Sequence, residues 1–374
     1  MVNNYNINDI LGGNRHGIGQ PYVIGVLPGE GIGPDIIRIC LNLLDTIQST
    51  SNVQFDIQMG GEIGKIATSK YGVSLTNEVK AFCHDIFGRG GVLLCGPGGD
   101  RFVYDLRKEF ELFCKIAPIV PVEAVVGEGP VHESRVKATE IMIIRENLSG
   151  IYQGQFGIND TNELSAWHQF GYTKQQVSDI LDVARKAAIN RRKKVAIVTK
   201  PGGVPTISTL WQDVADEVFK QTEVYYEILE VDNACYQVIA NPGIYDVIVA
   251  PNLFGDVLGD VAALLLGSRG MSYSANYSKG MKAAVYQTSH GAAHDLAGKD
   301  LANPIGQILS LAMLLEHSFE LVSIAKALRD AVNQVLSRNI RPRDLSNSTS
   351  VVVGTEAMGE MIQNEFYGNL LKIR

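Results

Sequence analysis

The chain has 374 residues, 45% of them hydrophobic and 20% charged, enough for two domains with cores of their own. A net charge of −7 with no long basic run argues against nucleic acid or an anionic membrane as the main partner. No apolar stretch approaches the roughly 18 residues of a membrane span, and the five scattered cysteines, without a CxxC pair, point to a reducing compartment, the cytoplasm, rather than to a disulfide framework or a zinc site.

The first twenty residues are polar and glycine-rich and read as a flexible tail. Tyr22 to Leu27 then forms a strand. A glycine-rich turn, Pro28 to Asp35, leads into a helix over Ile36 to Ile47. Strand, glycine turn and helix together aim backbone N–H groups at an anion, but Pro34 stands where a dinucleotide fingerprint needs its third glycine. Phe55–Met59 and Gly91–Cys95 read as strands, and Leu75–His84 as a helix. From Asp100 the chain is helical, with Asp100, Val103, Tyr104 and Arg107 on one face. Strands are expected over Pro118–Val126 and Ile141–Ile144, the second leading into Arg145 and, past a glycine turn, Tyr152. An amphipathic helix spans Thr173–Arg192, and strand Val195–Thr199 ends at Lys200, where α/β proteins place functional groups. Helix, extended segment and helix follow over Trp211–Gln221, Val224–Val231 and from Asp232.

The stretch from Tyr245 to Gly270 carries the strongest chemical pattern. A buried strand, Val247–Ala250, is followed by a turn, Pro251–Gly255, and then by a helix bearing Asp256 and Asp260. Their i, i+4 spacing sets both carboxylates on one face about 5–6 Å apart. They repel unless a hard divalent cation joins them, although acids near a helix start also simply complement its dipole. Beyond it, Ser289–Ile308 is a loop in which Gly291 disfavours a zinc-binding helix through His290 and His294, so a nucleotide-wrapping role is expected. Amphipathic helices close the chain over Leu309–Leu321 and Ile324–Val335, and the alternation throughout predicts an α/β architecture.

Several motifs then agree in kind and in order. LPGEGIGPD, LRKEFELF, RENLSGIY, WQDVADE after Lys200, VDNACYQ, NLFGDVLGD, HGAAHDLAGKDLANP and VVGTEAMGE cover residues 22 to 365. With them the chain resembles the β-decarboxylating dehydrogenases, the isocitrate and 3-isopropylmalate dehydrogenases. The resemblance implies that family's two-domain fold, with a mixed central sheet flanked by helices and no Rossmann domain. The large cofactor-binding domain would comprise 21–112 plus 268–374, and the small dimerisation and substrate domain 113–267. It implies an enzyme of amino-acid biosynthesis that oxidatively decarboxylates a 3-substituted malate, a 2-hydroxy diacid, with NAD and Mg2+ or Mn2+. A related acid (benzylmalate, homoisocitrate, isocitrate or tartrate) and a non-catalytic regulatory homologue are the alternatives.

By the same resemblance Asp232, Asp256 and Asp260 hold the metal, and Tyr152 and Lys200 are the acid–base pair. Lys200 and Asp232 are expected to reach in from a second subunit, so the site is shared across a homodimer. For Lys200 to take the hydroxyl proton, its pKa should be depressed. Arg107 and Arg145 match carboxylate binders, a job suited to planar guanidinium groups, and Asp100, Val103 and Tyr104 face the substituent. Ile32, Gln287, His290, Gly291, Ala292, Ala293, Asp295 and Asn303 match the cofactor site, with Asp295 favouring NAD over a 2′-phosphate. Ala117 departs from the pattern, standing where an arginine is usual; Lys115, two residues away on a strand and so on the same face, is expected to compensate. Gln287 likewise replaces a usual glutamate.

Overall fold

Short apolar runs, each closed by glycine, proline or a polar pair, fold into strands between amphipathic helices. The computed structural model describes residues 7–13, 19–137, 139–159 and 164–373. Its strands are β1 (Tyr22–Leu27), β2 (Phe55–Met59), β3 (Val92–Cys95), β4 (Cys114–Ile119), β5 (Ile141–Glu146), β6 (Gln155–Asn159), β7 (Ser165–Gln169), β8 (Lys194–Thr199), β9 (Tyr225–Glu230), β10 (Val247–Ala250), β11 (Tyr273–Tyr277) and β12 (Ala284–Thr288).

Ten of these form one sheet in the order β2-β1-β3-β12-β11-β4-β5-β10-β8-β9. The wings are parallel, as in β1 with β2 and β3, or β10 with β5 and β8. The centre is antiparallel, from β12 through β11 and β4 to β5. The mixed sheet flanked by helices is therefore as expected, and its antiparallel centre excludes a doubly wound parallel Rossmann sheet. That centre also sets up the site. Lys115 lies opposite Arg145 on one side and Asn276 on the other. Directly opposed residues share a face of the sheet, so one row carries Arg145, Lys115 and Asn276 side by side.

Helix Ile305–His317 is apolar all round and packs beneath β3, β11 and β12, as a fully buried helix must. Helices Gly33–Thr50, Val322–Ser337 and Thr355–Lys372 cover that end. Helix Lys174–Ile189, started by a capping box between Thr173 and Gln176, covers the other end against β5, β8 and β10. No helix among the described residues is long and apolar enough to cross a membrane.

Four expectations shift. Residues 7–11, assigned to a flexible tail, form a short helix that buries Ile7, Ile10 and Leu11; residues 1–6 and 14–18 of that tail lie outside the described residues. The strand expected over Pro118–Val126 instead runs Cys114–Ile119, and Glu123–Val125 is a 3-10 turn, because prolines at 118 and 121 bracket the end of the ladder. The turn expected at Pro251–Gly255 is already helical from Asn252, with Pro251 setting the entry angle. Asp100 is not in its helix, which begins at Phe102; Asp100 sits in a left-handed turn at φ 51° just before it.

Candidate active site

The antiparallel centre of the sheet opens into a cleft of about 180 Å³. Strands β4 and β5 contribute Lys115 and Arg145, helix Phe102–Glu109 contributes Val103, Tyr104 and Arg107, and helix Asn252–Ala262 contributes Asp256. Asp100, Gln287, His290 and Gly291 complete its rim. A smaller adjoining cavity shares Lys115, Arg145, Asp256 and Ser289 with the cleft and adds Ala117, Asp260 and Tyr273.

Three cations converge in this cleft. Arg145 is held rigidly. Its Nε and Nη2 donate to Asn252 Oδ1 at 3.1 and 2.8 Å, and its Nη1 pairs with Asp256. Asn252 in turn donates to the Ser149 carbonyl at 2.8 Å. Gly255 permits this approach, since a Cβ there would lie 2.9 Å from the Cβ of Arg145. Arg107 is 3% exposed and Lys115 8% exposed, yet neither makes a hydrogen bond or ion pair among the described residues, and Arg107 Nε is buried without a partner. Burial, and then the charge of Arg145, pull the Arg107 guanidinium down to about 9. Burial, Arg145 and Arg107 together pull the Lys115 amine down to about 7. Buried charge without a partner is costly, so this cluster is built for an anionic guest.

The acidic side has the opposite character. Burial pushes the Asp256 carboxyl up, but Arg145, Lys115 and Arg107 outweigh it and hold the group below its ordinary range. Asp260, one turn further along, pairs with Arg269 at 2.6 Å. Tyr152, in a 3-10 turn beside Arg145 and Tyr104, is pushed up to about 12 by burial and by the Asp256 carboxylate, so its phenol keeps its proton. The Arg101 guanidinium lies 5.5 Å from the Tyr104 ring and 5.7 Å from Phe156, tying this helix to the β6–β7 hairpin.

Lys200 and Asp232 do not enter the cleft of their own chain. Lys200 stands at the end of β8 and donates to Asp232 at 2.6 Å and to Glu230 at 2.7 Å, with side chains 32% and 68% exposed at Lys200 and Asp232. These two partners hold the Lys200 amine above its ordinary range, so the depression expected for a base is not present in a single chain. Among the described residues no group of three acids, histidines or cysteines converges as a metal site. Asp256 and Asp260 nevertheless offer hard oxygen donors at one cavity, of the chemistry that suits Mg2+ or Mn2+.

The cofactor candidates divide. The glycine turn docks on the 290–296 loop: Ile32 N donates to the Ala292 carbonyl at 2.9 Å, and Gly31, at φ 61°, leaves no room for a Cβ, which would fall 2.0 Å from that oxygen. Ile32 packs with Ala302, Ala293 and Leu296. Gly291 faces open space, Asp295 is exposed on the loop, and His290 Nε2 is buried without a partner. These residues fit a dinucleotide lying along the loop. Asn303 is different, because its carboxamide bonds Asp344 at 3.2 Å and the amide of Ile305 at 3.0 Å, work that is structural. The sequence reading missed Ser289, Thr288 and Asn252; only Asn252 carried a signal, as the first residue of NLFGDVLGD.

A family model described as isocitrate/isopropylmalate dehydrogenase matches residues 23–362. The chain belongs to this dehydrogenase family. Two relatives named 3-isopropylmalate dehydrogenase agree: that of Clostridium acetobutylicum is 34% identical over 92% of this chain and 99% of the relative, and that of Geobacillus kaustophilus 35% identical over 91% and 95%. A crystal structure of isocitrate dehydrogenase from Methylococcus capsulatus superposes with a TM-score of 0.81 at 29% identity, covering 92% of this chain and 99% of that one. As a member of this family the protein is an enzyme, a hydroxyacid dehydrogenase. In the single chain Lys200 and Asp232 face away from this cleft.

Proposed function

We propose that the protein oxidises and decarboxylates a 3-substituted malate with NAD and Mg2+ or Mn2+, in sites shared between two copies of the chain. The observation that carries this is the cleft in which Arg107, Lys115 and Arg145 converge on one fixed carboxylate, Asp256. Three cations against one anion fit a substrate with two carboxylates and poorly fit a neutral one.

The roles follow from position. Arg107 and Arg145 hold carboxylate oxygens, with Lys115 beside them. Val103 and Tyr104 give the substituent an apolar wall with one aromatic ring, which suits an alkyl or flat group. The bound metal supplies Lewis acidity at the reacting oxygen, and NAD accepts the hydride. Lys200 takes the hydroxyl proton, and Tyr152, protonated throughout the neutral range, delivers one to carbon. Asp256 and Asp260 ligate from one chain and Asp232 from the other. Asp295 on the 290–303 loop bonds the adenosine ribose, favouring NAD over NADP. The large domain would hold the cofactor and the small one the dimer contact.

The exposed apolar side chains of the hairpin, Phe156, Ile158 and Trp167, support a homodimer. The test is NAD reduction with a panel of 3-alkyl, 3-benzyl and 3-carboxymethyl malates in Mn2+, with NADP in parallel. Turnover of the 3-alkyl or 3-benzyl malates, in preference to the 3-carboxymethyl malate and with NAD in preference to NADP, is expected. No turnover with any of them at high enzyme concentration rejects the proposal.

A further inference from the structure

Position 117 carries alanine, so the cleft lacks a guanidinium on that side, yet the row of β4 that should bear it is not empty. Lys115 occupies the same face, between Arg145 and Asn276 in the sheet, and both Lys115 and Ala117 line the small adjoining cavity. Across that cavity stands Ser289, the first residue after β12. Its Oγ is buried with no hydrogen-bond partner, and it lines both cavities together with Lys115, Arg145 and Asp256. A buried hydroxyl without a partner is costly, and Lys115, 8% exposed, makes no hydrogen bond or ion pair among the described residues. Two such donors on the walls of one cavity indicate an absent acceptor there, separate from the one that Arg107 faces in the larger cleft.

We infer that Lys115 Nζ and Ser289 Oγ together form a rebuilt carboxylate subsite, replacing with an amine and a hydroxyl what an arginine at position 117 would have supplied. This deepens the proposed function and rests on it. Lys115 donates as a point charge and Ser289 adds a single directed bond. The pair therefore grips one carboxylate oxygen from each side, where a guanidinium would take two oxygens in its plane. The other carboxylate falls to Arg107 and Arg145. It follows that substrate selection at this subsite is for charge more than for planar geometry, and that loss of the second carboxylate from the substrate removes the whole benefit of Lys115.

The experiment is calorimetric binding of 3-isopropylmalate, and of 2-hydroxy-4-methylpentanoate as the analogue lacking the second carboxylate, to the full chain with Mn2+. Lys115→Met should weaken 3-isopropylmalate by roughly 10- to 100-fold and Ser289→Ala by roughly 3- to 10-fold, while neither changes the monocarboxylate by more than about twofold. Introducing Ala117→Arg into Lys115→Met should restore most of the affinity, which a merely structural lysine would not allow. Thermal unfolding of each variant identifies any that fails to fold, and Lys115→Arg, which keeps the charge, then serves in place of Met with partial retention expected. If 3-isopropylmalate binds the wild type and Lys115→Met binds it equally, or if both ligands weaken in parallel, the subsite is disproved. If no substituted malate of the panel binds the wild type, the proposed function itself is what fails.

Discussion

The two halves of the catalytic apparatus are built in opposite ways. On the carboxylate side, Arg107, Lys115 and Arg145 are buried and Asp256 is half-buried; they come from adjacent strands and helices of one chain, and Arg145 and Asp256 are paired before any ligand arrives. On the proposed proton-transfer side, Lys200 and Asp232 lie on the surface, and Lys200 pairs with both Asp232 and Glu230. One side is finished within the chain at the cost of buried unpaired charge, and the other, in the proposed arrangement, is left for a second copy of the chain to finish. On the proposed reading, recognition is encoded in a single sheet, while the chemistry is reserved for the assembled form.

The largest effect tests that division directly. Lys200→Met and Asp256→Asn should each lower kcat by roughly a thousandfold or more, as loss of a proton acceptor or a metal ligand does. If sites are shared, a one-to-one mixture of the two inactive variants, refolded together, regains one intact site in each mixed dimer. Steady-state assay of the mixture should then return about a quarter of wild-type activity. A mixture as inactive as its parents breaks the comparison and places both residues in one chain's site.

The carboxylate side makes the second prediction. Arg107 is buried without an ion pair, so Arg107→Met should raise KM for the malate substrate by roughly 100-fold while leaving the melting temperature of the ligand-free protein unchanged or higher. Kinetics and calorimetric melting check it together. A fall in melting temperature with KM unchanged would make the arginine structural.

Much of this was legible in the sequence. Strands β1, β2 and β10 were bounded to the residue, because β1 and β10 are short apolar runs that end at a proline and β2 alternates apolar with polar residues up to a glycine pair. Arg107, Arg145 and Asp256 were legible because their motifs place each near the end of a strand or on a helix face. Strands β11 and β12 were not, since Tyr273–Tyr277 alternates serine and asparagine with apolar residues; both of its faces are buried, and Ser274 and Asn276 find partners only through non-local pairing with β12 and Asn147. The β6–β7 hairpin was missed for a related reason: its pattern is exposed throughout in one chain and has no core to point at. Ser289 carries no local signal at all, because its place in the site comes from lining the same two cavities as Lys115, 174 residues away in the chain.

The hairpin gives a third prediction. Replacing exposed Trp167 by serine should weaken self-association, making activity fall on dilution at concentrations where the wild type is constant. Sedimentation velocity alongside a dilution series measures both, and a dimer of unchanged strength would assign the hairpin elsewhere.

The smallest effect concerns Glu230, which touches the proton-transfer side without being a candidate ligand. In the single chain, hydrogen bonds from Lys200 to Asp232 and Glu230 raise the lysine above its ordinary range, and a lysine in that state is charged near neutrality and cannot accept the hydroxyl proton. Removing one of its two anionic partners disfavours the charged form, so Glu230→Gln should lower the Lys200 pKa. Activity that requires neutral lysine rises as pH climbs through that value. The ascending limb of the kcat profile should therefore move to lower pH in the variant, with the plateau height nearly unchanged. A limb that stays in place would mean that Glu230 is already disengaged from Lys200 in the working enzyme. A limb that moves to higher pH would mean that the titrating group is not Lys200, and the surface pair would lose its place in the chemistry.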